Sequence, residues 1–131
     1  MNIVRGKPPN FDEICAVFPA ARREGVIFTY GDTVYVNGAP GIPPQLKAHE
    51  ATHAQRQAQV GGPAKWWERY LTDAAFRLTE ELLAHRVEYQ TLRHLDRRLA
   101  ARSLDFVAMR LASPLYGGII SQREARRAIA A

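Results

Sequence analysis

Two histidines and a glutamate stand close together in the run His49-Glu50-Ala51-Thr52-His53, which spells H-E-x-x-H. On a helix, positions i and i+4 share a face, about 6 Å apart along the axis. Two imidazoles at that spacing can bind one metal ion in a tetrahedral shell. Glu50 is rotated by about 100° from His49, which puts its carboxylate beside such a metal rather than on it. There it can take a proton from a water that the metal activates, the chemistry of metal-assisted hydrolysis. The plain alternative is a solvated helical stripe that spells the motif by chance. The chain has only four histidines, so two of them bracketing a glutamate at this spacing argues against chance.

A hydrolytic site of this kind needs a third protein ligand and one position left for water. The lone Cys15 can form neither an internal disulfide nor a Cys-rich metal site, so a carboxylate is expected. The candidates are Glu80, Glu81 and Glu88, then Asp73. Adjacent Glu80 and Glu81 point about 100° apart on a helix, so one of them faces the metal. Glu81 shares a stripe with Ala74, Arg77, Ala84 and Glu88. The Glu80 stripe holds Asp73, Phe76, Leu83 and Val87. Small residues let two helices approach closely, which favours the Glu81 stripe, and Arg77 one turn earlier is placed to hold that carboxylate. Helical geometry alone leaves Glu80 and Glu88 open. His85 reads as a core histidine and His94 as a surface one.

The order H-E-x-x-H followed by Glu81-Leu82-Leu83-Ala84 resembles the H-E-x-x-H … E-x-x-A pattern of gluzincin zinc peptidases. The run Trp66 to Asp73, with Phe76-Arg77 and Glu80-Glu81, is similar to small predicted metallopeptidases encoded in phages and prophages. The motif match spans residues 49 to 84, and a looser similarity runs from the hairpin upstream to Gly117. The resemblance implies zinc bound by His49, His53 and Glu81, with Glu50 as general base, and hydrolysis of a peptide bond in a protein or peptide substrate. Arg56 and Gln59 stand where a metzincin would carry glycine and histidine, which excludes that class. Tyr70 and Tyr116 are weak candidates for oxyanion donors, with packing the more ordinary role.

These residues need two helices. Pro43 and Pro44 suit a first turn, and a helix from Pro44 to Gln59 carries both motif histidines before Gly61-Gly62-Pro63 stops it. A short helix over Ala64–Leu71 holds Trp66, Trp67 and Tyr70. Thr72 then caps a long helix from Asp73 to about Leu99, whose apolar seam is Ala75, Leu78, Leu82, His85, Tyr89 and Leu92. One more helix follows, broken at Ser113-Pro114, and Ser121 caps a last one over Gln122–Ala130. Upstream, Asn10 caps Phe11–Val17, with Cys15 in its apolar face. Val26–Tyr30 and Thr33–Val36 flank Gly31-Asp32, a two-residue turn of type II′. Ile3 and Val4 can start a third strand. Asn37 to Gly41 reads as a loop. Thr33–Val36 leads into the motif and is the expected free edge for an extended peptide.

The fold expected is therefore α+β: a small β-hairpin or short antiparallel sheet packed on a helical bundle, with a zincin-like active-site helix and a long ligand-bearing helix. At 131 residues and 47% hydrophobic, one domain over residues 1 to 131 with a modest core is expected. Lys7 and two prolines stand where a signal peptide would need an apolar run, and no stretch approaches about 20 apolar residues. A cytoplasmic protein without membrane contact is the expectation. The net charge is +5, with late arginines at Arg93, Arg97, Arg98, Arg102, Arg110, Arg123, Arg126 and Arg127. A solvated face explains them more simply than nucleic acid, because no aromatic residues are interleaved. The rival from another class is a non-catalytic module whose zinc staples two helices, its fourth position closed by a residue such as His85.

Overall fold

The computed structural model describes residues 1–38 and 41–131. Positions 39 and 40, within the stretch read as a loop, lie outside the described residues. In chain order the elements are β1 (Asn2–Arg5), α1 (Phe11–Val17), a 3-10 turn (Pro19–Arg22), β2 (Ile27–Tyr30), β3 (Thr33–Val36), α2 (Pro44–Gln59), α3 (Pro63–Thr72), α4 (Ala74–Leu95), α5 (Arg97–Leu111), a second 3-10 turn (Pro114–Tyr116) and α6 (Gln122–Ala130). The fold is α+β, a three-stranded sheet joined to a helical bundle.

The hairpin closes as its turn residues require. Gly31 has φ +66° while Asp32 keeps a negative φ, the combination a type II′ turn needs. Tyr30 pairs with Thr33 and Ile27 with Val36. The edge-strand expectation is overturned. The strand order is β1-β3-β2, and β1 runs parallel to β3. Thr33–Val36 is thus the central strand, covered on both sides, and cannot pair with a peptide. The Ile3-Val4 run supplied the missing strand, because a two-stranded ribbon leaves too much backbone unsatisfied to persist alone. It also makes the sheet mixed rather than purely antiparallel.

The long helix is shorter than its periodicity suggested. Asp73, not Thr72, caps α4 by accepting the Phe76 N–H at 3.1 Å. Thr72 stays in α3, its hydroxyl donating to the Glu68 carbonyl. At the far end Asp96 accepts from the Leu99 N–H at 3.0 Å and starts α5. An aspartate side chain that captures a backbone N–H ends one helix and begins another even where the apolar pattern continues. Asn10, by contrast, makes no side-chain cap to α1. Ser121 caps α6 through the Glu124 N–H.

Two apolar clusters hold the fold. Phe11, Ile14, Phe18, Phe28, Trp66, Trp67 and Tyr70 join α1, the sheet and α3, with Cys15 buried among them. Leu104, Val107, Leu111 and Ile129 join α5 to α6. Between them α4 turns an unusual face inward. Arg77, Glu80, Glu81, His85 and Glu88 are buried along it together with Phe76, Ala84 and Leu92. Ala75 is exposed, and Leu78, Leu82 and Tyr89 only half-buried. The expected seam is therefore rotated, sharing only His85 and Leu92 with the real one. Among the described residues, no helix is long and apolar enough to cross a membrane.

Candidate metal centre

Helix α2 packs chiefly along α4, and this contact assembles the site. His49, Glu50 and His53 are 3%, 6% and 6% exposed. A histidine helix would normally leave such polar groups in water, so their burial needs partners. The His49 and His53 rings lie 4.9 Å apart. Glu81 reaches across from α4 with both oxygens, Oε1 standing 3.5 Å from His49 Nε2 and Oε2 standing 3.3 Å from His53 Nε2. His85, one turn further, is fully buried with its ring 4.7 Å from that of His49. Its Nδ1 lies 2.7 Å from the Glu81 backbone carbonyl, which fixes that nitrogen as the donor and leaves Nε2 with its lone pair. One ligand atom from each of His49, Glu81 and His85 lies within 4.8 Å of the others, and the expected ligand His53 stands outside that group. This buried group could hold a metal ion.

Further side chains orient the central ones. His49 Nδ1 lies 2.8 Å from Glu88 Oε1, and Arg110 Nη2 donates to that same oxygen. Tyr70 donates its phenol proton to Glu81 Oε2 at 2.6 Å. Glu50 Oε2 accepts from Thr29 Oγ1 at 2.6 Å, while its Oε1 remains 4.0 Å from His49 Nε2. The hairpin that delivers Thr29 is tied to the helices by its own backbone. The Thr29 carbonyl accepts from Gln57 Nε2 and Trp67 Nε1, both at 2.9 Å, and Gln57 Oε1 accepts the Gly31 N–H.

The charges within this dry cluster govern one another. Burial by itself would lower the His49 pKa, but the Glu81 and Glu88 carboxylates on either side of the ring, with Glu50 nearby, push it up to about 10. Burial would raise Glu81, yet the His53 and His49 imidazoles hold it well below the usual carboxylate range. His85 is driven down to about 3, by burial and by its charged neighbour His49. A carboxylate pair thus keeps a proton on an imidazole that a metal would also claim, so metal uptake must displace that proton. Among the described residues, three buried atoms have no hydrogen-bond partner at this place: Glu81 Oε1, His53 Nδ1 and His85 Nε2. A buried carboxylate oxygen without a hydrogen bond is costly, and the charged His49 ring 3.5 Å away offsets part of that cost. The donor set of imidazole and carboxylate suits zinc.

Other residues fall elsewhere than expected. Glu80 is buried too, but its carboxylate binds Arg56 Nε and Trp66 Nε1. Bulky Phe76 on its stripe did not keep the helices apart, because Phe76 lies in the N-terminal core beside Trp66. Arg77 does not hold Glu81. Its guanidinium donates to the Tyr70 and Tyr116 carbonyls at 2.7 and 2.9 Å. Asp73 serves as a helix cap. Tyr70 and Tyr116 both line the cleft with His49, Glu50, His53 and Glu81, and Tyr70 is committed to Glu81. Arg110, counted among the surface arginines, turns inward to Glu88. Arg97, Arg98, Arg102, Arg123 and Arg127 are exposed.

Sequence reasoning missed Thr29, which looked like any strand threonine. It weighed Glu88 only as a ligand, although its place two turns after Glu81 on one stripe also fits a residue that steadies a ligand. The contact yields an expected result. Glu88→Gln keeps the shape but removes the charge behind His49, and should weaken metal binding by about tenfold, the low end for such supporting groups. Competition against a chromophoric chelator measures it, and unchanged affinity would remove Glu88 from the site.

No protein-family model, curated protein or solved structure matches this chain significantly.

Proposed function

We propose that the chain is a zinc-dependent peptidase that holds its metal with His49, His53 and Glu81 and uses Glu50 as general base. One observation carries the reading. The two Glu81 oxygens lie 3.5 and 3.3 Å from the Nε2 atoms of His49 and His53. Each distance pairs one histidine with its own Glu81 oxygen and is close to the roughly 3.3 Å between neighbouring ligands of a tetrahedral ion with bonds of about 2.0–2.1 Å. The sequence resemblance to gluzincin-type and phage-encoded metallopeptidases supports the same assignment.

A divalent metal in this set supplies Lewis acidity, lowering the pKa of a water and polarising a carbonyl oxygen. The chain's own residues do the rest. Glu50 is anchored through one oxygen by Thr29, which leaves the other to take a proton from the attacking water. The same carboxyl then returns the proton to the departing amine. Tyr70 fixes one oxygen of Glu81 and so the orientation of the ligand. Tyr116 is the cleft phenol not committed to a carboxylate and can donate to the oxygen of the scissile carbonyl. Arg77, bonded to the carbonyls of both tyrosines, sets their spacing.

The test is zinc analysis joined to cleavage of a mixed peptide library. About one zinc per chain and chelator-sensitive cleavage are expected. Tyr116→Phe should retain the zinc and lose about 100-fold in kcat. Peptides left intact by a zinc-loaded chain would refute the peptidase reading.

The second reading, a zinc staple in a non-catalytic module, draws on His85. With His49, Glu81 and His85 as ligands, the metal would be held without His53, and Glu50 would have no hydrolytic role. Nucleic acid as partner has only the exposed arginines in its favour.

A further inference from the structure

Two surfaces outside the metal centre have no part in the chemistry above. The first is a groove between α1 and α3, about 550 Å³ in volume. Its bed is apolar, made by Val17 of α1, Tyr30 at the end of β2, and Trp67 and Leu71 of α3. Val17 is 47% exposed, which leaves an aliphatic side chain in water. Glu13 on α1 and Glu68 on α3 are both exposed and supply one carboxylate from each helix. Asn10 lines the same groove, and its Oδ1 is buried without a hydrogen-bond partner. That side chain does not cap α1, and a buried acceptor left unpaired is costly. The second surface is the outer face of α5. Leu99, Arg102, Phe106 and Met109 follow one another at spacings of three, four and three, so they share one stripe. Phe106 is 59% exposed and Met109 49%. The opposite face of α5 already buries Leu104, Val107 and Leu111. An apolar stripe left in water beside arginines marks a contact surface rather than a solvated one.

We propose that these two surfaces fit one another between copies of this chain, the α5 stripe of one copy seated in the α1–α3 groove of the next. Charge selects the partner. The stripe carries Arg102 with Arg98 beside it, and the groove carries Glu13 and Glu68. Elsewhere on the surface Arg69 pairs with Asp73 and Arg126 with Asp105. Among the described residues, Glu13, Glu68, Arg98 and Arg102 have no ion-pair partner within the chain. Length agrees with charge. Leu99 and Met109 stand ten positions apart, about 15 Å of helix, and the ten residues of α3 span about the same. A guanidinium has five donors, so an arginine that meets one of the carboxylates can also supply the proton that Asn10 Oδ1 lacks. The stripe and the groove are different patches, so the contact is heterologous and joins copies head to tail. A lipid surface or a nucleic acid would engage the arginines but leave the acidic groove and Asn10 unmatched. The inference does not depend on the peptidase reading.

Analytical ultracentrifugation of the full chain tests it. At roughly 0.1 mM, where even a weak interface is populated, the chain should sediment above its monomer mass of 14.7 kDa. The excess should grow with concentration and shrink as salt is raised. Two double variants then reverse one surface each: Glu13→Lys with Glu68→Lys, and Arg98→Glu with Arg102→Glu. Each sets like charges against each other and should weaken association by at least about tenfold. Mixed one to one, the two variants should associate again, because each offers the charge that the other lacks. All four residues are exposed, so the apolar clusters are untouched, and circular dichroism checks the fold of each variant. Should either not fold, Phe106→Ser takes its place and should weaken association by about tenfold through lost apolar burial. A wild-type chain that stays at the monomer mass would overturn the proposal, as would association that no variant weakens or folded charge variants that fail to recover on mixing. A monomeric chain that co-sediments with phosphatidylglycerol vesicles would also overturn it and assign the α5 stripe to an anionic lipid surface.

Discussion

Glu50→Gln is expected to keep the metal and lose nearly all hydrolysis, by at least about 100-fold and up to about 10⁴-fold in kcat. The substitution is nearly isosteric. The amide oxygen of the glutamine can still accept the Thr29 hydroxyl that now reaches Glu50 Oε2 at 2.6 Å, so the hairpin stays docked on α2. The proposed metal ligands are untouched, since neither His49, His53 nor Glu81 depends on Glu50 for a hydrogen bond. What disappears is a carboxylate able to carry a proton. Zinc content, melting temperature and kcat measured together separate the roles. Wild-type cleavage by the variant would show that another group is the base. Loss of zinc along with activity would make Glu50 a structural part of the metal site instead.

The second large effect separates the two ligand sets. His53→Ala should abolish stoichiometric zinc binding, whereas His85→Gln should retain it. Zinc sites built from four ligands bind with about 10–16 kcal/mol, so one ligand carries about 3 kcal/mol, a loss of about 100-fold or more in affinity. His85 has its Nδ1 engaged with the Glu81 carbonyl and does not line the cleft. His53 Nε2 faces the Glu81 carboxylate directly. His85→Gln is expected to lower stability, because a fully buried ring packed against His49 and Tyr116 is removed. Zinc is therefore measured on the folded fraction. The reverse outcome, zinc lost with His85 and kept without His53, would favour the buried staple of His49, Glu81 and His85 and exclude hydrolysis by the mechanism above.

Local signals in the chain determined its elements and the constellation. The helix over Pro44–Gln59, the hairpin around Gly31-Asp32, the helix over Phe11–Val17 and the capped C-terminal helix all follow from turn residues, prolines and apolar spacing. Those are interactions within a few residues, which a sequence carries directly. The H-E-x-x-H run likewise placed three groups on one helix before any tertiary contact existed.

What only the tertiary structure decided is how the second helix is rotated and which partners the buried charges find. Apolar periodicity pointed the seam of α4 through Leu78, Leu82 and Tyr89, yet Arg77, Glu80, Glu81 and Glu88 are the buried residues. A helix turns its charged face inward only when each charge is matched across the interface. The matching groups are far away in sequence: Arg56 and Trp66 for Glu80, the α2 histidines and Tyr70 for Glu81, His49 and Arg110 for Glu88. The position of β3 was undetermined for the same reason, since the strand that covers it lies at the far N-terminal end of the chain. Sequence spacing says which groups one helix can present. Only the packing of α2 on α4 says which carboxylate meets the histidines, because that choice is a balance of desolvation against pairing made between elements rather than within them.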